Sequence, residues 1–217
     1  MLRADFHIHT CYSPDSVMTP QRLVDKCVKA GLNYIAVTDH NSIEGAVETA
    51  KIAPFLVIIG EEVKSAQGEI TGLFLKEPIP KGLPAMETVR RIKNQGGVVS
   101  IPHPFDTFRR SVITPEALAE VAPHADIIEG FNARNNLQSA NRKALTLAEE
   151  HGKLVSAVTD AHTTYEVGRT YTEMPEFDGT PQGFLQALAE ARFVKRPVTP
   201  LIHVVTTITK TRKRFFR

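Results

Sequence analysis

The chain has no apolar run near the ~20 residues a membrane-spanning helix requires. Charged and polar residues, Arg3, Asp5, His7 and His9, break up its first ten positions, so no secretory signal is expected there and the expected location is cytoplasmic. Cysteine is scarce: Cys11 and Cys27 alone cannot build a disulfide framework. Cys27 reads as the core side of a helix, Cys11 as a bystander. The sequence also lacks G-x-S-x-G, a Walker loop and G-x-G-x-x-G, which removes the commonest serine-hydrolase and nucleotide-binding readings. No linker, low-complexity stretch or internal repeat divides it. Neither charge sign dominates, with 26 Lys and Arg against 24 Asp and Glu. What imbalance exists sits in the last eight residues, KTRKRFFR; without its five basic residues 21 basic and 24 acidic residues remain, a net of 21 − 24 = −3. The body of the chain therefore lacks the basic bias of a nucleic-acid binder.

What is present is a core and an alternation. The 217 residues are 42% hydrophobic, enough for one well-packed domain. Strand-like stretches at 3–9, 34–40, 55–65, 98–104, 126–132 and 154–162 alternate with helix-like ones. Thr-Pro pairs at Thr19-Pro20, Thr114-Pro115 and Thr180-Pro181 read as helix starts, with threonine as N-cap and proline in the first turn. Asn41 with Glu44 three residues on reads as a capping box opening another helix. This β-α order implies parallel strands joined by helical crossovers. The connection from Glu62 to Glu69 is too short for a crossover, so 55–65 and 69–75 read as a hairpin turning at Ser65–Gly68.

The opening stretch DFHIHT then raises a question about function. Residues two apart on a strand point the same way, so His7 and His9 project together. His40, His103 and His162 also fall at C-terminal strand ends, as do Asp39, Glu61, Glu62, Glu129, Asn132 and Asp160, with Asp15 in the loop after the first strand. In an α/β barrel these ends gather on one rim, where active sites are built. His124, His151 and His203 lie elsewhere. Imidazoles and carboxylates together suit Zn, Mn or Fe, and their number exceeds what one ion can use, so two or three divalent transition-metal ions are expected. The hairpin brings Glu69 close to Glu62. Close metal pairs favour displacement at phosphorus.

With these stretches assembled, D-F-H-I-H-T with Asp15, V-T-D-H-N-S-I-E-G, G-E-E-V, I-P-H-P and T-D-A-H, the chain resembles the PHP family, named for polymerase and histidinol phosphatase. The resemblance spans residues 5–162 and is to the smaller stand-alone members. It implies a distorted seven-stranded β/α barrel of TIM-like form with a trinuclear metal centre at the strand ends. Carried over by position, His7, His9, Asp15, His40, Glu62, His103, Asp160 and His162 are the implied metal ligands, with Glu62 bridging. Several members have histidine where Glu69 stands, a departure that a carboxylate ligand accommodates.

The expected function is that of a metal-dependent phosphoesterase hydrolysing a small phosphate ester by a metal-bridged hydroxide. Asp39 and Asp160 are the candidates for proton handling, Asp39 also for orienting a ligand. Arg109, Arg110 and Arg134, with Asn132, are the candidates for binding substrate phosphate. The alternatives are a 3'-5' exonuclease-type enzyme, which would want a long basic groove, a non-catalytic metal-stabilised module, and more remotely an amide hydrolase. A small phosphorylated substrate is favoured over nucleic acid. Residues 1–199 form the expected catalytic domain and 200–217 a basic C-terminal segment. In that segment Leu201, Val204, Val205, Ile208 and Phe215 fit one face of a helix, expected to pack on the barrel with the basic end in water.

Overall fold

The computed structural model describes residues 1–109, 111–135, 137–199 and 201–215. Eight elements alternate in the first half: β1 (Leu2–Ile8), α1 (Pro20–Ala30), β2 (Tyr34–Val37), α2 (Glu44–Ile52), β3 (Leu56–Ser65), β4 (Gly68–Leu73), α3 (Ala85–Asn94) and β5 (Val98–Ile101). The second half holds α4 (Pro115–Val121), β6 (Ile127–Asn132), α5 (Gln138–Glu150), β7 (Leu154–Val158), β8 (Tyr171–Met174), α6 (Pro181–Ala189), β9 (Arg192–Val194) and α7 (Ile202–Phe215). The three Thr-Pro helix starts form as expected: the Thr19, Thr114 and Thr180 side chains accept from the backbone N–H of Arg22, Ala117 and Gly183. The capping box does not form. α2 begins at Glu44, and Asn41 instead sits at φ 55° and accepts from the backbone N–H of Lys64 at 2.9 Å. An Asn side chain tolerates the left-handed region, and here it ties the end of β2 to the hairpin.

The strands form one sheet in the order β7-β6-β5-β4-β3-β2-β1-β8-β9. Its β7 edge curls back to β1: Ile8 bridges Ala161, and the His9 N–H donates to the Ala161 carbonyl at 2.8 Å. The result is a nearly closed, barrel-like α/β sheet of nine strands, not the seven expected. The additions are β8, antiparallel to the N-terminal end of β1, and β9, antiparallel to β8. β9 is three residues long, too short for a periodic pattern to announce it. β3 and β4 form the expected hairpin, Lys64 opposite Glu69. Its turn needs glycine at Gly68, where φ is 131° and a Cβ would meet the Ile113 backbone at 2.3 Å.

Apolar side chains form several buried clusters that leave the strand ends to polar groups, two large ones among them. Ile70, Val99, Ile101 and Ile128 pack under α3 and α4, with Val89, Ile92 and Leu118. Phe6, Ile58, Val158 and Met174 pack with Phe184 of α6 inside the sheet, Phe6 and Phe184 edge to face at 4.9 Å. Cys27 is buried, as expected for a core helix position.

Helix α7 departs from expectation in one respect. Its large apolar residues Val204, Val205, Ile208 and Phe215, with Leu201 just before it, are exposed, while Ile202 and Thr206 face the body. The body offers polar partners there. Arg134 donates through Nη2 to Thr206 Oγ1 at 3.1 Å, His203 Nε2 donates to the Arg134 carbonyl at 3.0 Å, and Lys213 Nζ donates to the carbonyls of Cys11 and Ser13, each at 2.7 Å.

Candidate metal centre

Strand alternation on β1 places Ala4, Phe6 and Ile8 in the core and sends Asp5, His7 and His9 the other way. Asp5 secures this geometry: its carboxylate accepts from the backbone N–H (3.1 Å) and hydroxyl of Thr159, clamping β1 to the end of β7. Burial pushes the Asp5 carboxyl up to about 7, against the pull of those Thr159 hydrogen bonds.

His7 and His9 point their Nε2 atoms at each other, 3.0 Å apart. Their far nitrogens are already engaged. His7 Nδ1 donates to Glu129 Oε1 at 2.5 Å, and His9 Nδ1 lies 3.1 Å from Ser13 Oγ. Since the Ser13 hydroxyl donates to Asp39 Oδ1 (2.6 Å), its oxygen is free to accept from His9. In the neutral form of each ring this arrangement selects the tautomer that turns its Nε2 lone pair inwards, the usual device of metal-ligating histidines.

Two carboxylates meet these nitrogens. Glu62 Oε2 lies 3.5 Å from His7 Nε2, 3.5 Å from His9 Nε2 and 3.0 Å from His40 Nδ1, while its Oε1 lies 2.9 Å from His103 Nε2. Asp160 Oδ1 lies 3.7 Å and 3.4 Å from the same two Nε2 atoms. Asp15 spans His40 and His162, 3.4 Å from an Nε2 of each. Glu69 stands 3.7 Å from His40 and 3.9 Å from His103 and accepts from Ser111 Oγ. Eight of the nine residues expected as ligands thus fall in four overlapping groups, His9–His40–His162, His7–Glu62–His103, His7–His9–Asp160 and His40–Glu62–Glu69, and Asp15 joins them through His40 and His162.

The cluster attracts positive charge. Burial opposes charge on His7, but Glu129, Asp160 and Glu62 outweigh it and hold the imidazole well above its ordinary range. His40 is raised likewise, against burial, by Glu62 and Asp15. His9, buried beside His162 and His40, falls well below. Glu62 is held well below the carboxylate range despite burial, by His7 and His40, and Asp160 by Arg109 and His7. Burial and the neighbouring Glu62 carboxylate raise Glu69. Glu62 Oε2, Asp160 Oδ1 and Asp15 Oδ1 are buried without a hydrogen-bond partner. Several buried carboxylates held ionised, each with an oxygen that accepts no hydrogen bond, beside inward-facing imidazoles make a donor set that divalent cations fit.

Backbone strain marks the same place. Asn41, His103 and Asp160 have positive φ, 28° at His103, conformations that cost of order 1–3 kcal/mol and cluster at functional sites.

The remaining candidates take other positions. Asp39 is not at the focus of the cluster: its oxygens accept from the Thr10 N–H (2.7 Å), Thr10 Oγ1 (2.5 Å) and Ser13 Oγ, so it acts on His9 through Ser13. α2 passes so close that a Cβ on Gly45 would fall 1.9 Å from Asp39 Oδ2. Asn132 donates to Glu129 (3.0 Å) and Asp160 (3.1 Å) and holds both. Arg109 pairs with Asp160 and, at 3.1 Å, with Asp106. Arg134 is buried, 3.3 Å from Glu166, with Nη1 2.5 Å from His162 Nδ1. Arg110 lies outside the described residues. Sequence reasoning did not foresee the roles of Ser13, Glu129, Asp106 and Glu166. Glu129 and Asp5 carried a signal, since each is an acid inside an apolar strand. Above the cluster opens a cleft of about 600 Å³, walled by Asp15, His40, Glu69, Arg109 and Arg134 and closed on one side by Thr206, Thr207 and Lys210 of α7.

Comparison with known proteins places this geometry. A family model described as PHP-associated matches residues 138–193, from α5 to β9. MJ0417, an uncharacterized protein of Methanocaldococcus jannaschii, is 32% identical over 197 residues, covering 86% of this chain and 79% of its own. A two-domain protein from Bacteroides vulgatus containing a predicted PHP-like metal-dependent phosphoesterase superposes with TM-score 0.71 at 21% identity over 90% of this chain, which spans 65% of that protein. The lesion-specific endonuclease PfuEndoQ of Pyrococcus furiosus shares the fold with TM-score 0.60 at 14% identity, covering 92% of this chain and 59% of its own. The match to MJ0417 along most of both chains, and a sheet built like those of PHP structures, lead to one conclusion: this chain belongs to the PHP family.

Proposed function

We propose that the protein is a metal-dependent hydrolase of a small phosphate ester. The observation that carries this reading is the convergence of buried imidazoles on two buried carboxylate oxygens that accept no hydrogen bond, Glu62 Oε2 and Asp160 Oδ1, at the floor of a cleft. His7, His9, Glu62, His103 and Asp160, with Asp15, His40, Glu69 and His162, would hold two or three Zn, Mn or Fe ions. Such ions supply an activated water and neutralise charge on the leaving oxygen.

The chain's own residues do the rest. Glu129 and the Ser13–Asp39 pair keep His7 and His9 turned inward. Asn132 and Arg109 hold Asp160 in place. Arg134 and Arg109 present guanidinium groups to the cleft, suited to phosphate oxygens. Every group of the proposed centre lies within residues 1–199, the proposed catalytic domain; of the basic C-terminal segment 200–217, helix α7 walls the cleft through His203, Thr206, Thr207 and Lys210. The cleft's size fits a small molecule.

A second reading, hydrolysis at a nucleic-acid end, is favoured by Lys210 at the cleft edge and the basic run that follows it. One screen separates these readings. Metal-loaded protein is offered phosphomonoesters, nucleotides, cyclic nucleotides and short oligonucleotides, and phosphate release is measured. Turnover of a small ester is expected. Preferential, salt-sensitive degradation of oligonucleotides supports the second reading, and no turnover of any phosphate ester leaves a cluster that only stabilises the fold.

A further inference from the structure

Among the described residues, many of the exposed apolar side chains gather near the cleft and α7, with Met1, Val28 and Ile52 elsewhere. Tyr12, Phe108 and Tyr165 stand exposed in loops that follow β1, β5 and β7, the loops of the cleft face. The larger part is on α7. Leu201, Val204 and Ile208 are 71%, 55% and 62% exposed, and Phe215 continues their line. At 3.6 residues per turn these residues lie opposite Ile202 and Thr206, which face the body. The outer face of α7 is therefore an aliphatic stripe.

Charge accompanies the stripe. After Glu190 the sequence contains no acidic residue, while Arg192, Lys195, Arg196, Lys210, Arg212 and Arg214 are basic. Arg212 falls within the stripe and Arg214 lies toward its edge, both exposed, while Lys210 lies on the side of the helix that meets the cleft. The helix is held to the body by polar tethers, Thr206 and His203 to Arg134 and Lys213 to the β1–α1 loop, so its outer face is presented at a fixed orientation. An aliphatic face bordered by cations, with aromatic side chains beside it, has the chemistry of a helix lying in a lipid headgroup layer.

We infer that α7 docks the protein on an anionic bilayer surface, with the cleft face turned toward the membrane. The other occupants fit less well. A second copy packed α7 to α7 would bring arginines against arginines in the stripe. A nucleic acid would use the cations but has nothing to stack on leucine, valine and isoleucine.

The test uses the full chain with metal bound, vesicles of phosphatidylcholine with or without phosphatidylglycerol, and no substrate, so its outcome is independent of the proposed activity. The protein is expected to sediment with phosphatidylglycerol vesicles at low salt and to stay in solution with phosphatidylcholine alone. Val204→Gln/Ile208→Gln keeps good helix formers on the exposed face and should reduce retention by at least roughly tenfold, as should Arg212→Glu/Arg214→Glu. Because the chain has no tryptophan, Ile208→Trp supplies a single reporter, whose emission should shift to the blue on phosphatidylglycerol vesicles. Equal retention of wild type and the glutamine variant overturns the inference, as does an emission that vesicles leave unmoved. A wild-type dimer in solution that the glutamine variant loses, without vesicle retention, assigns the stripe to a second copy. Retention on a single-stranded oligonucleotide, with none on vesicles, assigns the surface to nucleic acid.

Discussion

The rim of the barrel and helix α7 arrange polar and apolar groups in opposite senses. At the rim, His7, His9, Glu62 and Asp160 are buried completely and each meets another polar group. On α7, leucine, valine and isoleucine stand in water while Thr206, His203 and Lys213 turn inward. Leaving buried polar partners such as the Arg134 guanidinium unpaired costs about 1–3 kcal/mol each. Fully burying an aliphatic side chain is worth about 1.5–3 kcal/mol. The two terms are comparable, so the polar partners that the body happens to offer decide which way the helix turns.

The comparison is broken most severely by removing a rim carboxylate. Glu62→Gln and Asp160→Asn should each lower turnover of a phosphate ester on the order of a thousandfold, with circular dichroism nearly unchanged, because the apolar core does not reach these groups. Near-normal turnover in both would displace the site. Next comes the support beneath it. Gly45→Ala drives a methyl into Asp39 and Thr10, loosening the Ser13–His9 link; a loss of about 10–100-fold in activity or metal affinity is expected.

A smaller effect distinguishes a buried acid outside the cluster. Glu61 accepts from the Ile79 N–H, and burial pushes its carboxyl up to about 7, that hydrogen bond pulling the other way. An acid whose folded pKa is raised binds a proton more tightly when folded. Its contribution is complete below the unfolded value near 4.5 and is lost as pH rises through 7. Glu61→Gln should therefore unfold much like wild type at pH 5 and be more stable by about 2 kcal/mol at pH 8, read by thermal or denaturant unfolding. An equal difference at both pH values would place the Glu61 shift elsewhere. The smallest effect belongs to α7: Val204→Gln/Ile208→Gln should leave turnover of a soluble substrate within about twofold and stability within about 0.5 kcal/mol.

The two regions also differ in how far the sequence revealed them. Strand alternation has period two, so His7 and His9 had to share a face, and the β-α order had to bring His40, His103 and His162 to the same rim. The hairpin length located Glu69 beside Glu62 by the same local logic. What stayed hidden depended on partners distant in sequence. Nothing near Ser13 announces that it passes a hydrogen bond from His9 to Asp39, and nothing near Asn132 announces that it holds Glu129 and Asp160. The strand-end position of Asp39 suggests a group that orients a ligand or handles a proton; in three dimensions its oxygens are taken by Thr10 and Ser13, the arrangement of an orienting group. The stripe on α7 was legible as a stripe, but its direction was not. Amphipathicity gives the angle between faces and leaves open which face the body will take.

The central claim is that the buried rim cluster is a metal centre with hydrolytic chemistry. The most direct measurement is the metal content of wild type and Glu62→Gln, purified without chelator, alongside phosphate-ester turnover of the same samples before and after chelation. The account predicts more than one equivalent of divalent transition metal in wild type, a clear deficit in the variant, and turnover that vanishes with chelation and returns with added metal. A wild-type protein that holds no metal and hydrolyses phosphate esters at full rate would contradict it.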